Sequence, residues 1–288
     1  MVFSATLTGR YDIRLISSGR GDFPGSMVFW GRDHLIRHEL DFQCVLITGE
    51  NRIVLVNTGF PEDLSETNAA YRASMGTVIG RDGPSPPSVL ARYGIRPEDV
   101  TDMILTPLGL YTSHHIMSFP NATIWMAGAG WDSFRSCPDH PHDRPETTLP
   151  ADAVSYLTGA GRASLRLIRD ETTLAPGIRA WWTGGHHRAS LCLEIDVDPL
   201  GDGGGPRTIA ISDVYFHLRN FTENHPIGMS ENIYEVLAAY RRIRSANCLP
   251  LPLPLFDPGN RTRFPDGVVC RRQEPMHAAS HQEGSHPV

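Results

Sequence analysis

The chain of 288 residues is longer than an average domain but normal for one large α/β unit. Hydrophobic residues make up 40% of it and charged residues 20%, which is enough for a sizeable core and excludes wholesale disorder. The net charge of -6 gives no electrostatic reason to expect nucleic acid or an anionic membrane as a partner.

The N-terminal residues lack a continuous apolar segment behind a basic one, so we expect no signal peptide. No apolar run approaches the length that is needed to span a bilayer. The five cysteines are scattered along the chain and include no Cys-x-x-Cys pair. We therefore expect free thiols and a cytoplasmic protein.

The pattern of apolar residues and breakers predicts a series of elements along the chain. In the first half these are a strand (11–16), a Gly-rich loop or lid (19–31), a β-hairpin (42–48 with 52–57), two helices (62–73 and 88–93) and two strands (103–106 and 123–126). In the second half they are an inserted surface loop (136–150), four strands (165–169, 178–182, 190–197 and 208–212) and a helix (230–245).

Two series of strands interleaved with helices predict an α/β protein, which we interpret as one domain over residues 1–270. Residues 271–288 are polar and include three histidines. We expect them to form a disordered C-terminal tail, because they carry too little apolar surface to fold against a core.

The residues around position 100 have a recognisable frame. It reads GIRPEDVTDMILT over residues 94–106 and FPNATI over residues 119–124. This frame resembles the metallo-β-lactamase superfamily, and within it the N-acyl-homoserine-lactonase-like branch. The resemblance implies an αββα four-layer sandwich.

In that family, the residue matching Thr106 is followed by His-x-His-x-Asp-His, which holds two zinc ions. The matching positions here are Pro107, Gly109, Tyr111 and Thr112. None of these side chains is a normal zinc ligand, because zinc binds imidazole, thiolate or carboxylate groups. The resemblance therefore implies the scaffold without its main metal-binding motif.

The other ligand positions are only partly kept. The segment TGGH ends in His186, which matches a ligand of the first zinc, and Asp213 matches the aspartate that bridges both metals. Phe256 stands where the last histidine is expected, and Asn57 stands where the family has an aspartate. Two ligands cannot hold a catalytic zinc, which needs about three from the protein. We therefore predict no bound metal and no other cofactor.

Three interpretations of function remain open. The first is a metal-independent enzyme that acts on a small carbonyl, ester or lactone-like molecule. The second is a non-catalytic relative, either a binding protein or the silent partner subunit of an active paralogue, in a homo-oligomer or a heteromer. The third is a metal held by an unorthodox set that includes neighbouring histidines such as His114 or His187.

The first interpretation assigns roles to seven residues. His186 and Asp213 form the acid–base pair, and a hydroxyl of Tyr111 or Thr112 acts as donor or nucleophile. The residues predicted to bind the substrate are His115, Phe256 and Asp257.

Overall fold

The computed structural model describes residues 6–81, 83–136, 149–199, 205, 207–253 and 263–273. The strands are β1 (Leu7–Gly9), β2 (Asp12–Pro24), β3 (Arg37–Gly49), β4 (Arg52–Val56), β5 (Asp102–Leu105), β6 (Thr123–Ala127), β7 (Leu165–Ile168), β8 (Thr172–Ala175), β9 (Ile178–Trp182), β10 (Leu191–Asp196), β11 (Thr208–Ser212), β12 (Leu249–Pro252) and β13 (Val268–Arg272). The helices are α1 (Gly25–Val28), α2 (Ser65–Met75), α3 (Pro86–Leu90), α4 (Leu110–Ser113), α5 (Gly128–Ser136), α6 (Ala151–Thr158), α7 (Leu218–Thr222) and α8 (Ile233–Ser245).

The described strands form two sheets. The larger has eight strands in the order β1-β13-β2-β3-β4-β5-β6-β7, and its strands from β4 to β7 are parallel. The smaller has five strands in the order β12-β11-β10-β9-β8, of which β8 to β11 are antiparallel. The predicted α/β class and the predicted two-sheet sandwich are confirmed.

The sheets pack face to face and helices cover them. The larger buried cluster takes residues from both sheets, for example Ile104 of β5 and Leu193 of β10. Helix α5 contacts β6 and β7 of the larger sheet. Helix α8 lies on the smaller sheet. Its Tyr240 belongs to a second buried cluster that also contains Trp181 of β9.

The elements with the strongest sequence patterns form as expected. Strand β5 is buried at all four positions, of which all but Asp102 are apolar, as in a parallel strand that is covered on both faces. Helix α8 begins after Asn232, whose side chain accepts hydrogen bonds from the backbone N–H groups of Tyr234 and Glu235. Its buried residues recur at helical spacing, which confirms the helix predicted over residues 230–245.

The predicted loop or lid over residues 19–31 is wrong in its first half. Strand β2 continues to Pro24 and pairs with residues 37–42 of β3. The glycines that suggested a loop are needed for close backbone approach, since a Cβ atom at Gly21 would lie 2.9 Å from the carbonyl oxygen of Val78. The neighbouring Arg20 exchanges two backbone hydrogen bonds with Gly80.

Other boundaries also need correction. The predicted tail does not begin at residue 271, because β13 continues to Arg272 and pairs in parallel with β1. Strand β8 and helices α5, α6 and α7 were absent from the prediction. Most of the predicted surface loop, residues 137–148, lies outside the described residues. Among the helices that the structure describes, none has both the length and the apolar character to cross a membrane.

Candidate functional site

Four loops meet at one edge of the sandwich, and those after β5, β9 and β11 are three of the four that were predicted to meet there. They follow β4 (residues 57–61), β5 (106–109), β9 (183–190) and β11 (from Asp213). Hydrogen bonds join the loops: Asn57 contacts Thr106, Thr106 contacts Leu191, and Ser190 contacts Asp213. The fourth predicted contribution, from Phe256 and Asp257, lies outside the described residues.

Asn57 fixes the loop that follows β5. The residue is completely buried and has a left-handed backbone with φ of 62°. Its side-chain Oδ1 accepts a hydrogen bond from the N–H of Thr106, and its Nδ2 donates to the carbonyl of Thr106, both at 2.9 Å. This pairing needs an acceptor and a donor on one side chain, which an amide has and an ionised carboxylate lacks.

Thr112 is fully bonded within its own loop. Its hydroxyl accepts from the N–H of Gly109 at 3.0 Å and lies 2.8 Å and 2.9 Å from the carbonyl oxygens of Gly109 and Pro107. The side chain is completely buried. Because the single hydroxyl proton is already directed to a backbone carbonyl, the geometry does not support the predicted role of Thr112 as a nucleophile.

Asp213 is completely buried between two hydroxyl groups. Its Oδ2 accepts from Ser190 Oγ at 2.9 Å and lies 3.5 Å from Thr106 Oγ1, while its Oδ1 has no hydrogen-bond partner. Burial raises the pKa of Asp213 to about 8, although the hydroxyl of Ser190 opposes the rise. The carboxyl group is therefore mostly protonated at pH 7.

His186 takes a different partner. Its Nδ1 lies 2.7 Å from the carbonyl oxygen of Met229, which only accepts, so Nδ1 carries the proton and Nε2 keeps a lone pair. The ring meets Phe216 edge to face at 4.9 Å. Burial lowers the pKa of His186 to about 4, so the imidazole is neutral at pH 7.

The predicted hydrogen-bonded pair of His186 and Asp213 is therefore wrong. Each side chain has its hydrogen bonds with another described group, His186 with Met229 and Asp213 with Ser190. Both groups are neutral at pH 7, so no ion pair draws them together. The sequence offered no signal for Ser190 or for the carbonyl of Met229.

The predicted site residues Tyr111 and His115 also contact other residues of the fold. The Tyr111 ring packs against Phe42 at 5.0 Å, and burial, with the charge of Asp213, raises the pKa of Tyr111 well above its ordinary value. Its hydroxyl can therefore donate but does not ionise near pH 7. His115 Nε2 lies 2.9 Å from the carbonyl oxygen of Phe60 and holds the loop after β4.

The described residues do not fit the dinuclear zinc site that the resemblance implies. Within the described ranges, no three His, Cys, Asp or Glu side chains come together as potential metal ligands. Asp213 would have to lose its proton to bind a cation, and its partners Ser190 and Thr106 are hydroxyl groups. The absence of a metal stays a prediction.

A cleft of about 900 Å³ opens beside this edge, between α2, α4 and α6. We call it the acidic cleft. Its apolar lining includes Leu110, Phe134, Leu149 and Val154, and its acidic residues are Asp63, Glu66 and Asp152. His114 also lines it, and burial lowers the pKa of His114 to about 4.

No protein-family model and no curated protein matches the sequence. Solved structures do match. An N-acyl homoserine lactone hydrolase with its product N-hexanoyl-L-homoserine at the catalytic metal centre has a TM-score of 0.68 and 16% identity over 90% of this chain and 97% of that one. The chain has the metallo-β-lactamase fold.

Two further structures extend this likeness. AidC, a dizinc quorum-quenching lactonase in complex with a product, matches with a TM-score of 0.61 and 13% identity over 88% of this chain and 90% of that one. AbOPH, a hydrolase in the beta-lactamase superfamily, matches with a TM-score of 0.56 and 15% identity over 92% and 93%. These TM-scores and coverages show the fold alone, because the sequence identities lie between 13% and 16%, and a shared fold does not fix function.

Proposed function

We propose that this chain is a non-hydrolytic protein that binds a small molecule on a lactonase-like scaffold. The observation that carries the proposal is the placement of Asp213, which is completely buried and bonded to Ser190, and this burial raises the pKa of its carboxyl group. A carboxyl group takes part in hydrolysis by reaching the substrate or its water, or by orienting a histidine, and Asp213 is fully buried and bonded to Ser190 instead of His186.

The surroundings of the other predicted catalytic groups support the same proposal. A general base works best when its pKa is near the working pH, and the pKa of His186 is about 4. The hydroxyl of Thr112 is committed to its own loop. We infer that these side chains hold the loops in place, as metal ligands would in a metal-dependent hydrolase.

The test is a hydrolysis assay on the purified full chain, with N-hexanoyl homoserine lactone and a p-nitrophenyl ester as substrates. An active lactonase assayed in parallel serves as the positive control. We expect no turnover above background, with or without added zinc, and less than stoichiometric zinc, iron or manganese by elemental analysis. Turnover that appears with one or more tightly bound metal equivalents would contradict the proposal.

One observation favours the second candidate, a metal-independent enzyme. The hydrogen bond to Met229 leaves the lone pair of His186 on Nε2, the tautomer that accepts a proton. If turnover is found, His186→Ala should lower it about a hundredfold or more, without any response to zinc or chelator. Turnover that is unchanged in His186→Ala would come from another site or from a contaminant.

A further inference from the structure

The acidic cleft combines an apolar floor with charge of one sign. Leu110 and Leu149 contribute apolar surface from α4 and from the start of α6, and Phe134 contributes an aromatic ring from α5. Its volume of about 900 Å³ lies within the usual range of small-molecule sites, about 300–1,000 Å³. The cleft therefore has the size and the lining to hold an organic ligand of moderate size.

The ionisable groups of the cleft come from two sides. Asp63 and Glu66 stand at the start of α2, and Asp152 stands in the first turn of α6. The hydroxyl of Ser65 donates to Asp63 and keeps the pKa of that carboxyl below its ordinary value. No arginine is among the described lining residues, and the chain has no lysine. The charged side chains in the described part of the lining are therefore all acidic.

We propose that the acidic cleft binds an amphiphilic amine, with its apolar body against Phe134 and Leu149 and its ammonium group near Glu66 and Asp152. This inference rests on the proposed function, because it names the ligand class of a binding protein. Three carboxylates would repel an anionic ligand, and a neutral ligand would gain nothing from their negative potential. An amphiphilic amine matches both parts of the lining, its apolar body the apolar residues and its ammonium group the carboxylates.

The experiment compares three ligands of one chain length with the full-length protein: n-octylamine, n-octanol and octanoate. Binding is measured by calorimetry at pH 7 and low salt, below the concentration at which the ligands aggregate. Glu66 and Asp152 are both exposed, so each ion pair is weak, and together the two carboxylates should favour the amine over the alcohol about tenfold at low salt. Octanoate should bind more weakly than either.

Two variants make the test specific to the cleft. The double variant Glu66→Gln with Asp152→Asn should bring the amine within about twofold of the alcohol, while Asp170→Asn, an exposed acidic residue outside the cleft, should change nothing. Ala70→Trp keeps every charge and fills the cleft from the exposed face of α2, and it should abolish binding of the amine and the alcohol.

Amine binding that survives both cleft variants, or octanoate that binds as tightly as the amine, would overturn the inference. So would a failure of octylamine to bind. The lactone assay is independent of this result. If the protein hydrolyses a substrate and still binds the amine, the proposed function is wrong and the cleft assignment stands. If it shows neither turnover nor amine binding, only the cleft assignment is wrong.

Discussion

Replacing Asn57 with aspartate tests how the site loops are held. The amide of Asn57 makes two hydrogen bonds to Thr106, one to its N–H and one to its carbonyl, both at 2.9 Å and completely buried. An ionised carboxylate keeps the first bond and faces the carbonyl oxygen without a proton to donate. A protonated carboxyl can replace both bonds.

The size of the destabilisation follows from this difference between the ionised and the protonated carboxyl group. Leaving the buried Thr106 carbonyl unpaired costs about 1–3 kcal/mol, and a buried charge costs more, so the folded protein raises the pKa of the new carboxyl. The folded state then binds a proton that the unfolded state has released above about pH 4. The free energy of unfolding should fall by up to about 1.4 kcal/mol per pH unit until the folded pKa is passed.

Urea unfolding followed by tryptophan fluorescence measures this effect at pH 5 and pH 8. We expect Asn57→Asp to be within about 1.4 kcal/mol of wild type at pH 5 and at least about 3 kcal/mol less stable at pH 8. Asn121→Asp is the matched control, because Asn121 donates to the carbonyl of Glu98 at the surface. Equal effects in the two variants, or a stable Asn57→Asp at pH 8, would refute the reasoning.

Two further changes test the buried cluster. Asp213 binds a proton with a pKa of about 8 when folded and near 3.8 when unfolded, so the wild type should lose stability as the pH rises from about 4 to 8. Asp213→Asn should flatten this dependence, and an unchanged pH slope in urea unfolding would show that Asp213 is already ionised. Ser190→Ala removes the hydroxyl that donates to Asp213 and accepts from the N–H of His187. We expect it to cost about 1–3 kcal/mol by the same assay and, because it raises the pKa of Asp213 further, to extend the loss of stability to higher pH; a neutral effect would mean that the two contacts are not formed.

Local patterns were enough to predict most of the secondary structure. The hairpin between β3 and β4 was marked by Glu50 and Asn51, and both adopt the left-handed backbone that a tight turn requires. Buried apolar runs marked the central strands, and helical spacing marked α8. The sequence alone also showed that residues 107–112 include no histidine, cysteine or carboxylate, the side chains that zinc ordinarily binds.

Tertiary contacts explain why the glycines of residues 19–31 led to a wrong loop prediction. Gly19 and Gly21 predict a loop by composition, yet they lie in β2, where the segment around Val78 packs too closely for a side chain. The sequence carries no sign of that neighbour, which lies more than fifty residues away along the chain. Composition could therefore identify the glycines but not the reason for them.

The chemistry of the site was decided in the same way. The sequence named His186 and Asp213, but only the fold shows that Met229 and Ser190 are their partners, 43 and 23 residues away. Burial then moves the pKa of His186 to about 4 and that of Asp213 to about 8, which leaves both neutral at pH 7. A residue type fixes which protons a group can exchange, whereas desolvation and the neighbours brought by folding fix whether it exchanges them.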